Sequence, residues 1–176
     1  MKNNKLEKVS SLKRLMLKIS PNLFWKNIEE IGEFSFSEIN IDSLIIPDNV
    51  KEIDISAFAR NKYIKKITLS NNISELPYKC FWLCSNLKEI NIPSSVKIID
   101  KYAFSNCGIK KINFSESRID YIVNHTFSRS EIETIEVPET VKVIGENAFS
   151  ESKLQHIKLN QNLENIENFA FLRCGN

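Results

Sequence analysis

Side chains able to do covalent or metal chemistry are sparse in this 176-residue chain. Two histidines occur: His125 lies beside Thr126 in an expected turn, and His156 lies in an expected strand. They hold different places in the chain's period, so they belong on different faces and do not converge on one reacting atom. Each reads as a satisfied or solvated imidazole. Cys84, Cys107 and Cys174 each follow a phenylalanine by three residues. Stacking of the period would bring Cys84 and Cys107 about 5 Å apart. Cys80 and Cys84, four residues apart, could share a helical face. A zinc site takes four ligands in compact pairs, whereas Cys80 falls in a column of small buried residues. The four cysteines therefore read as small hydrophobes, too few for a disulfide scaffold. No catalytic residue, metal or cofactor is expected.

The elements that position these residues follow from a repeat. A small residue followed by phenylalanine recurs at Ser35-Phe36, Ala57-Phe58, Cys80-Phe81, Ala103-Phe104, Thr126-Phe127, Ala148-Phe149 and Ala170-Phe171, with phenylalanines 22 or 23 residues apart. Five residues before each phenylalanine stand Ile31, Ile53, Leu76, Ile99, Ile122, Ile144 and Ile166. Three residues earlier come Ile28, Val50, Ile73, Val96, Ile119, Val141 and Leu163. After each phenylalanine runs an L-x-x-I-x-I pattern, as in Leu87, Ile90 and Ile92, whose closing period of two is that of a half-buried strand. Pro47, Pro93 and Pro138 end the strand in three repeats, and Ser70, Ser115 and Asn160 in the others. Each unit reads as strand, turn, short extended segment and short helical turn. So small a unit buries its apolar face only by stacking on a neighbour.

The non-core positions of that strand point outward. Its second position reads Asp42, Lys65, Lys88, Lys110, Glu133 and Gln155; its third, Ser43, Lys66, Glu89, Lys111, Thr134 and His156; its fifth, Ile45, Thr68, Asn91, Asn113, Glu136 and Lys158. Lys65, Lys88 and Lys110 thus form a column joined by Lys66 and Lys111, with Glu133, Glu136 and Glu139 beside it. Like charges 5 Å apart in water repel by only about 0.8 kcal/mol before screening. The column is therefore either a solvated face or a binding surface of split polarity. The candidate binding residues are Lys65, Lys66, Lys88, Glu89, Asn91, Lys110, Lys111, Asn113, Glu133 and Glu136, facing a protein partner that is acidic at the contact. Aromatic residues are absent from these positions, which argues against nucleic-acid stacking.

Bulk composition agrees. Hydrophobic residues make up 42 % and charged residues 26 %, excluding a disordered class, and the net charge of +2 does not by itself imply nucleic acid or an acidic membrane. No apolar run approaches the roughly 20 residues of a bilayer span. The basic N-terminal segment lacks the unbroken apolar stretch of a signal peptide, so as written the chain reads as cytoplasmic. Within residues 1–27, Leu12, Leu15 and Leu17 form one degenerate strand motif in an expected capping segment, partly helical, with Phe24 and Trp25 covering the first regular repeat. Residues 28–176 are expected to hold seven repeats, the last incomplete.

Segments such as Ile92-Pro93-Ser94-Ser95-Val96-Lys97-Ile98-Ile99-Asp100-Lys101-Tyr102-Ala103-Phe104 and Val137-Pro138-Glu139-Thr140-Val141-Lys142-Val143-Ile144-Gly145-Glu146-Asn147-Ala148-Phe149 resemble the BspA-like leucine-rich repeats. The resemblance covers about residues 28 to 174. It implies an α/β repeat solenoid: a right-handed leucine-rich-repeat superhelix with a parallel sheet on one face and short extended segments and helical turns on the other. It also implies recognition of partner proteins or adhesion, since the family includes surface proteins of bacteria and parasitic protists. The family shares an architecture rather than a reaction. Two readings stay open: a non-catalytic interaction module working through its strand-lined face, and a structural scaffold or spacer of a larger repeat protein.

Overall fold

The L-x-x-I-x-I segments become strands because alternate side chains can be buried while their backbones pair with the same segment one repeat away. The computed structural model describes residues 4–114 and 117–175; Ser115, expected to end a strand, lies outside them, as do the chain's first three residues and its last. Among the described residues six strands of this kind are present: β3 (Ser43–Ile45), β5 (Lys66–Thr68), β7 (Glu89–Asn91), β9 (Lys111–Asn113), β11 (Thr134–Glu136) and β13 (His156–Lys158). They pair in parallel as β3-β5-β7-β9 and β11-β13. A second side of the coil carries two-residue strands one per turn: β1 (Lys5–Leu6), β2 (Glu30–Ile31), β4 (Glu52–Ile53), β6 (Glu75–Leu76), β8 (Ile98–Ile99), β10 (Tyr121–Ile122), β12 (Val143–Ile144) and β14 (Asn165–Ile166). These pair in parallel as β1-β2-β4, β6-β8 and β10-β12-β14. The result is a parallel-strand solenoid of about seven turns.

The third side departs from the expected helical turn. Among the described residues the repeats contain no helix; each has consecutive β-turns around its phenylalanine instead. The N–H groups alternate in direction. In one repeat Ala57, Ala59 and Asn61 donate to the carbonyls three residues back, while Ser56, Phe58 and Arg60 donate to Tyr78, Cys80 and Trp82 of the next repeat. Residues two before and two after every repeat phenylalanine have positive φ, from Phe34 (52°) and Glu38 (59°) to Phe169 (58°) and Arg173 (55°). Positive φ at the third turn position is what a type II turn requires. For residues other than glycine it costs roughly 1–3 kcal/mol each. The cost is borne because these turns direct alternate N–H groups onto the neighbouring repeat, as at Ser56, Phe58 and Arg60.

Inside the coil the phenylalanines stack. Phe36, Phe58, Phe81, Phe104, Phe127 and Phe149 are fully buried, with successive ring centroids 5.1–5.4 Å apart. The polar members of the small-residue column are satisfied: the Ser35 hydroxyl donates to the Leu6 carbonyl (2.5 Å) and the Thr126 hydroxyl to that of Val123 (2.6 Å). At the strand stops, Ser70 donates to the Val50 carbonyl (2.6 Å) and Asn160 to that of Val141 (2.9 Å).

The N-terminal segment contributes a rung of its own, β1, tied down by Lys5 to Glu30 (2.5 Å) and Asp54 (2.8 Å). Leu12, Leu15 and Leu17 are not a strand motif. They lie in a helix, α1 (Ser11–Ile19), capped by the Ser10 hydroxyl, and a shorter helix, α2 (Pro21–Trp25), follows with proline in its first turn. The reason is periodicity: Leu12, Leu15, Met16 and Ile19 follow the i, i+3, i+4, i+7 rule of one helical face. Trp25 is buried and stacks on Phe36 at 6.1 Å, with Phe24 edge-on to it at 4.9 Å.

Candidate interaction surface

Cys80, Cys84 and Cys107 are buried and all four thiols are free. Cys84 Sγ donates to the Phe58 carbonyl (3.1 Å), Cys107 to that of Cys84 (3.3 Å) and Cys174 to that of Phe149 (3.1 Å). Each thiol thus ties its own turn to the preceding repeat. Burial pushes the Cys80 and Cys84 thiols well up and that of Cys107 up to about 12, which keeps them protonated and poor nucleophiles. His125 is on the turn side, stacked on Tyr102 at 4.8 Å, and His156 is exposed on β13. Among the described residues no group of three or more His, Cys, Asp or Glu side chains could hold a metal ion.

The strand-lined face gathers the charged candidates. Lys65, Lys66, Lys88, Glu89, Asn91, Lys110, Lys111, Asn113 and Glu136 are exposed and Glu133 is half-buried. Register brings them side by side: Lys66 opposes Glu89, Glu89 opposes Lys111, and Asn91 opposes Asn113. The lysine column is less repulsive than its sequence suggests. Lys65 pairs with Asp42 (3.1 Å) and Lys110 with Glu133 (2.5 Å), each one repeat away, while Lys88 Nζ donates to the Ser85 carbonyl (3.2 Å). The hydrogen bond from Lys110 holds the Glu133 carboxyl below the usual carboxylate range and raises Lys110 in turn. Lys158 pairs with Glu136 (3.4 Å) at the far end. The basic and acidic zones are therefore stitched together by ion pairs.

Between β9 and β11 the strand ladder is interrupted, and β8 and β10 are likewise unpaired at the same junction. A cleft of about 830 Å³ opens there, lined by outward side chains such as Asn91, Lys111, Thr134, Glu136 and His156 over Ile112 and Ile135. Two sequence features coincide with it. In sequence, Phe114 and Ile119 are five residues apart where Ile92 and Val96 are four apart. Phe114 also replaces an aliphatic residue and packs edge-on against Phe127 at 6.3 Å. The bulkier Phe114 side chain opposes close pairing of the two strands.

The turn side carries a cluster that sequence reading missed. Lys79 Nζ lies 4.9 Å from the ring centres of both Tyr78 and Trp82 and 5.8 Å from that of Tyr102, and Arg60 lies 5.2 Å over Trp82. Tyr78 and Tyr102 meet edge to face at 5.9 Å. The signal was available in positions two and three before and one and two after the repeat phenylalanine, but only once those positions are known to face outward. The chain's own cations already occupy these rings, which leaves the cluster self-satisfied.

A family model described as the BspA-type leucine-rich repeat region matches the chain in six copies over residues 17–130 and 120–176. The crystal structure of the pneumococcal vaccine antigen PcpA is similar over 77 % of this chain and 36 % of that one, at 25 % identity and a TM-score of 0.68. A leucine-rich cell surface protein from Faecalibacterium prausnitzii is similar over 76 % of this chain and 30 % of that one, at 27 % identity and a TM-score of 0.52. A leucine-rich-repeat protein from Bacteroides ovatus shares the fold at 19 % identity and a TM-score of 0.62, over 84 % of this chain and 50 % of that one. The chain thus spans 30–50 % of the length of these proteins. No curated protein matches it.

Proposed function

Because this chain belongs to the BspA-type leucine-rich-repeat family, we propose that it is a non-catalytic protein-recognition module that works at a surface and binds through its strand-lined face. We read the coil as right-handed, the hand that parallel strand crossovers favour. The observation that carries the proposal is the in-register array of outward side chains across six strands, broken by a cleft at β9 and β11. Such an array presents charge at fixed spacing on a rigid support, which favours specificity and orientation over raw affinity. Lys65, Lys66, Lys88, Lys110 and Lys111 face a partner acidic at the contact, with Glu89, Asn91, Asn113, Glu133 and Glu136 setting register at the cleft. The similar proteins described as a vaccine antigen and a cell surface protein support a surface role, and adhesion is its natural form.

Charge reversal tests the reading. Lys65, Lys88 and Lys110 changed together to glutamate should weaken partner binding and remove its salt dependence, with folding intact, because exposed changes usually shift stability by only about 0.5 kcal/mol. Lys51, Lys97 and Lys142, exposed on the other side of the coil, supply the control triple. A partner lost with the control triple but kept by the first would show that binding uses another face. A chain that engages no partner through either face would be a spacer, which the ion-paired lysines of the strand face also allow.

A further inference from the structure

The chain's charge is unevenly divided. Residues 1–26 hold seven basic side chains and one acidic one, Glu7, leaving 17 basic and 21 acidic for the rest of the chain's totals of 24 and 22. The net charge is therefore +6 over the first 26 residues and −4 over the remainder. No acidic residue occurs between Glu7 and Glu29.

This basic segment also carries the molecule's main exposed apolar face away from the last repeat. Leu12 is 69 % exposed, Leu15 51 %, Met16 36 %, Ile19 70 % and Leu23 60 %. Four of the five share one face of α1, and Leu23 is exposed on α2, which follows it. Capping does not need them. Phe24 and Trp25 are the buried side chains that close the coil, and Leu17 packs against the same core. Lys8, Lys18 and Lys26 are exposed in the same N-terminal segment, while Lys13 and Arg14 are half-buried along α1.

Side chains this exposed stand proud of the surface. A protein partner would have to supply a shaped groove for them, whereas the headgroup and acyl boundary of a bilayer accepts protruding apolar groups without one. Reversible membrane docking needs two signals together, an apolar insertion and a polybasic surround, and both are present here. No helix among the described residues is long and apolar enough to cross a membrane, so the geometry is that of a helix lying on a surface. We propose that Leu12, Leu15, Met16, Ile19 and Leu23 dock the N-terminal end of the solenoid on an anionic lipid bilayer, with Lys8, Lys18 and Lys26 meeting the headgroups. Docking at this end leaves the strand-lined face clear.

Co-sedimentation of the full chain tests this, using phosphatidylcholine vesicles with and without phosphatidylglycerol. Binding is expected only where phosphatidylglycerol is present, and should fall with added salt. Lys18→Gln and Lys26→Gln should each weaken partitioning roughly fivefold. Leu15→Ser with Ile19→Ser should weaken it on the order of a hundredfold, with an unchanged melting curve because both positions are exposed. No binding to anionic vesicles, equal binding to phosphatidylcholine alone, or wild-type binding by the serine double variant would each overturn the proposal. So would a dimer in sedimentation velocity that the serine variant dissociates, since the face would then belong to a second copy.

Discussion

Replacing Phe104 with alanine removes a ring from the centre of the stack. Phe104 is fully buried, with Phe81 at 5.3 Å on one side and Phe127 at 5.4 Å on the other. A buried Phe→Ala change costs about 3–5 kcal/mol, with the upper end applying where the surroundings cannot collapse. Here collapse is opposed because strand hydrogen bonds lock the backbone around the ring to the preceding repeat and turn hydrogen bonds lock it to the following one. Two ring contacts are lost as well, so the upper half of the range is expected. Phe171 provides the comparison. It is half-buried and has one ring neighbour among the described residues, Phe149 at 5.5 Å. Phe171→Ala should therefore cost less than half as much. Urea denaturation followed by circular dichroism measures both, with slopes compared as well as midpoints, because terminal repeats can melt separately from the rest. Equal losses for the two variants would refute the idea that each repeat is held by its neighbours on both sides. A reduced slope for Phe104→Ala alone would show the coil dividing at the missing ring.

Two further outcomes follow from local chemistry. Burial pushes the Cys80, Cys84 and Cys107 thiols up and keeps them protonated; a thiol-alkylating reagent should label half-buried Cys174 first and the buried three only on unfolding, and a chelator should leave the melting curve unchanged. Rapid labelling of Cys84, or melting induced by the chelator, would show that a reactive or metal-bound thiol had been misread as packing. The clamp at β1 gives a pH signature: the hydrogen bond from Lys5 lowers the Asp54 carboxyl and the same contact raises Lys5. Stability from a depressed carboxyl is present above its unfolded value, about 3.9, and is lost as pH falls through the folded one. The melting-temperature gap between wild type and Asp54→Asn should thus stay level between about pH 6 and 9 and close below about pH 4; a gap that persisted in acid would exclude the ion pair as its source.

Much of this fold was legible because stacking repeats a demand. A position buried between two turns must be apolar and of similar size in every turn, so Phe36 to Phe171 and Ile31 to Ile166 announce themselves by spacing. The turn side gave no such signal. Its positive-φ positions hold Ser56, Lys79, Tyr102, His125 and Glu151 rather than glycine, because hydrogen bonds between repeats, not residue preference, hold that backbone. Gly108 is a place where a glycine is needed: a Cβ there would fall 1.9 Å from the Ser85 carbonyl oxygen. Leu12, Leu15 and Leu17 misled because their spacing fits a strand motif by coincidence, while Met16, Ile19, the Ser10 cap and Pro21 together favour helix.

The candidate surface was legible in position but not in charge balance. Counting one repeat back from Lys65 reaches Asp42, and one repeat forward from Lys110 reaches Glu133, so the pairs were written at the period of the repeat itself. A lysine column read along one strand position looks like a bare cationic stripe; read across its ends it is an ion-paired strip, with Lys88 bonded to a backbone carbonyl at its centre. The positions free of core packing are those where the repeat sets geometry and leaves residue type open. On the strand face that freedom is filled by paired charge. On α1 it is filled by leucine and isoleucine among lysines, a choice that solubility does not explain and that an anionic apolar surface does.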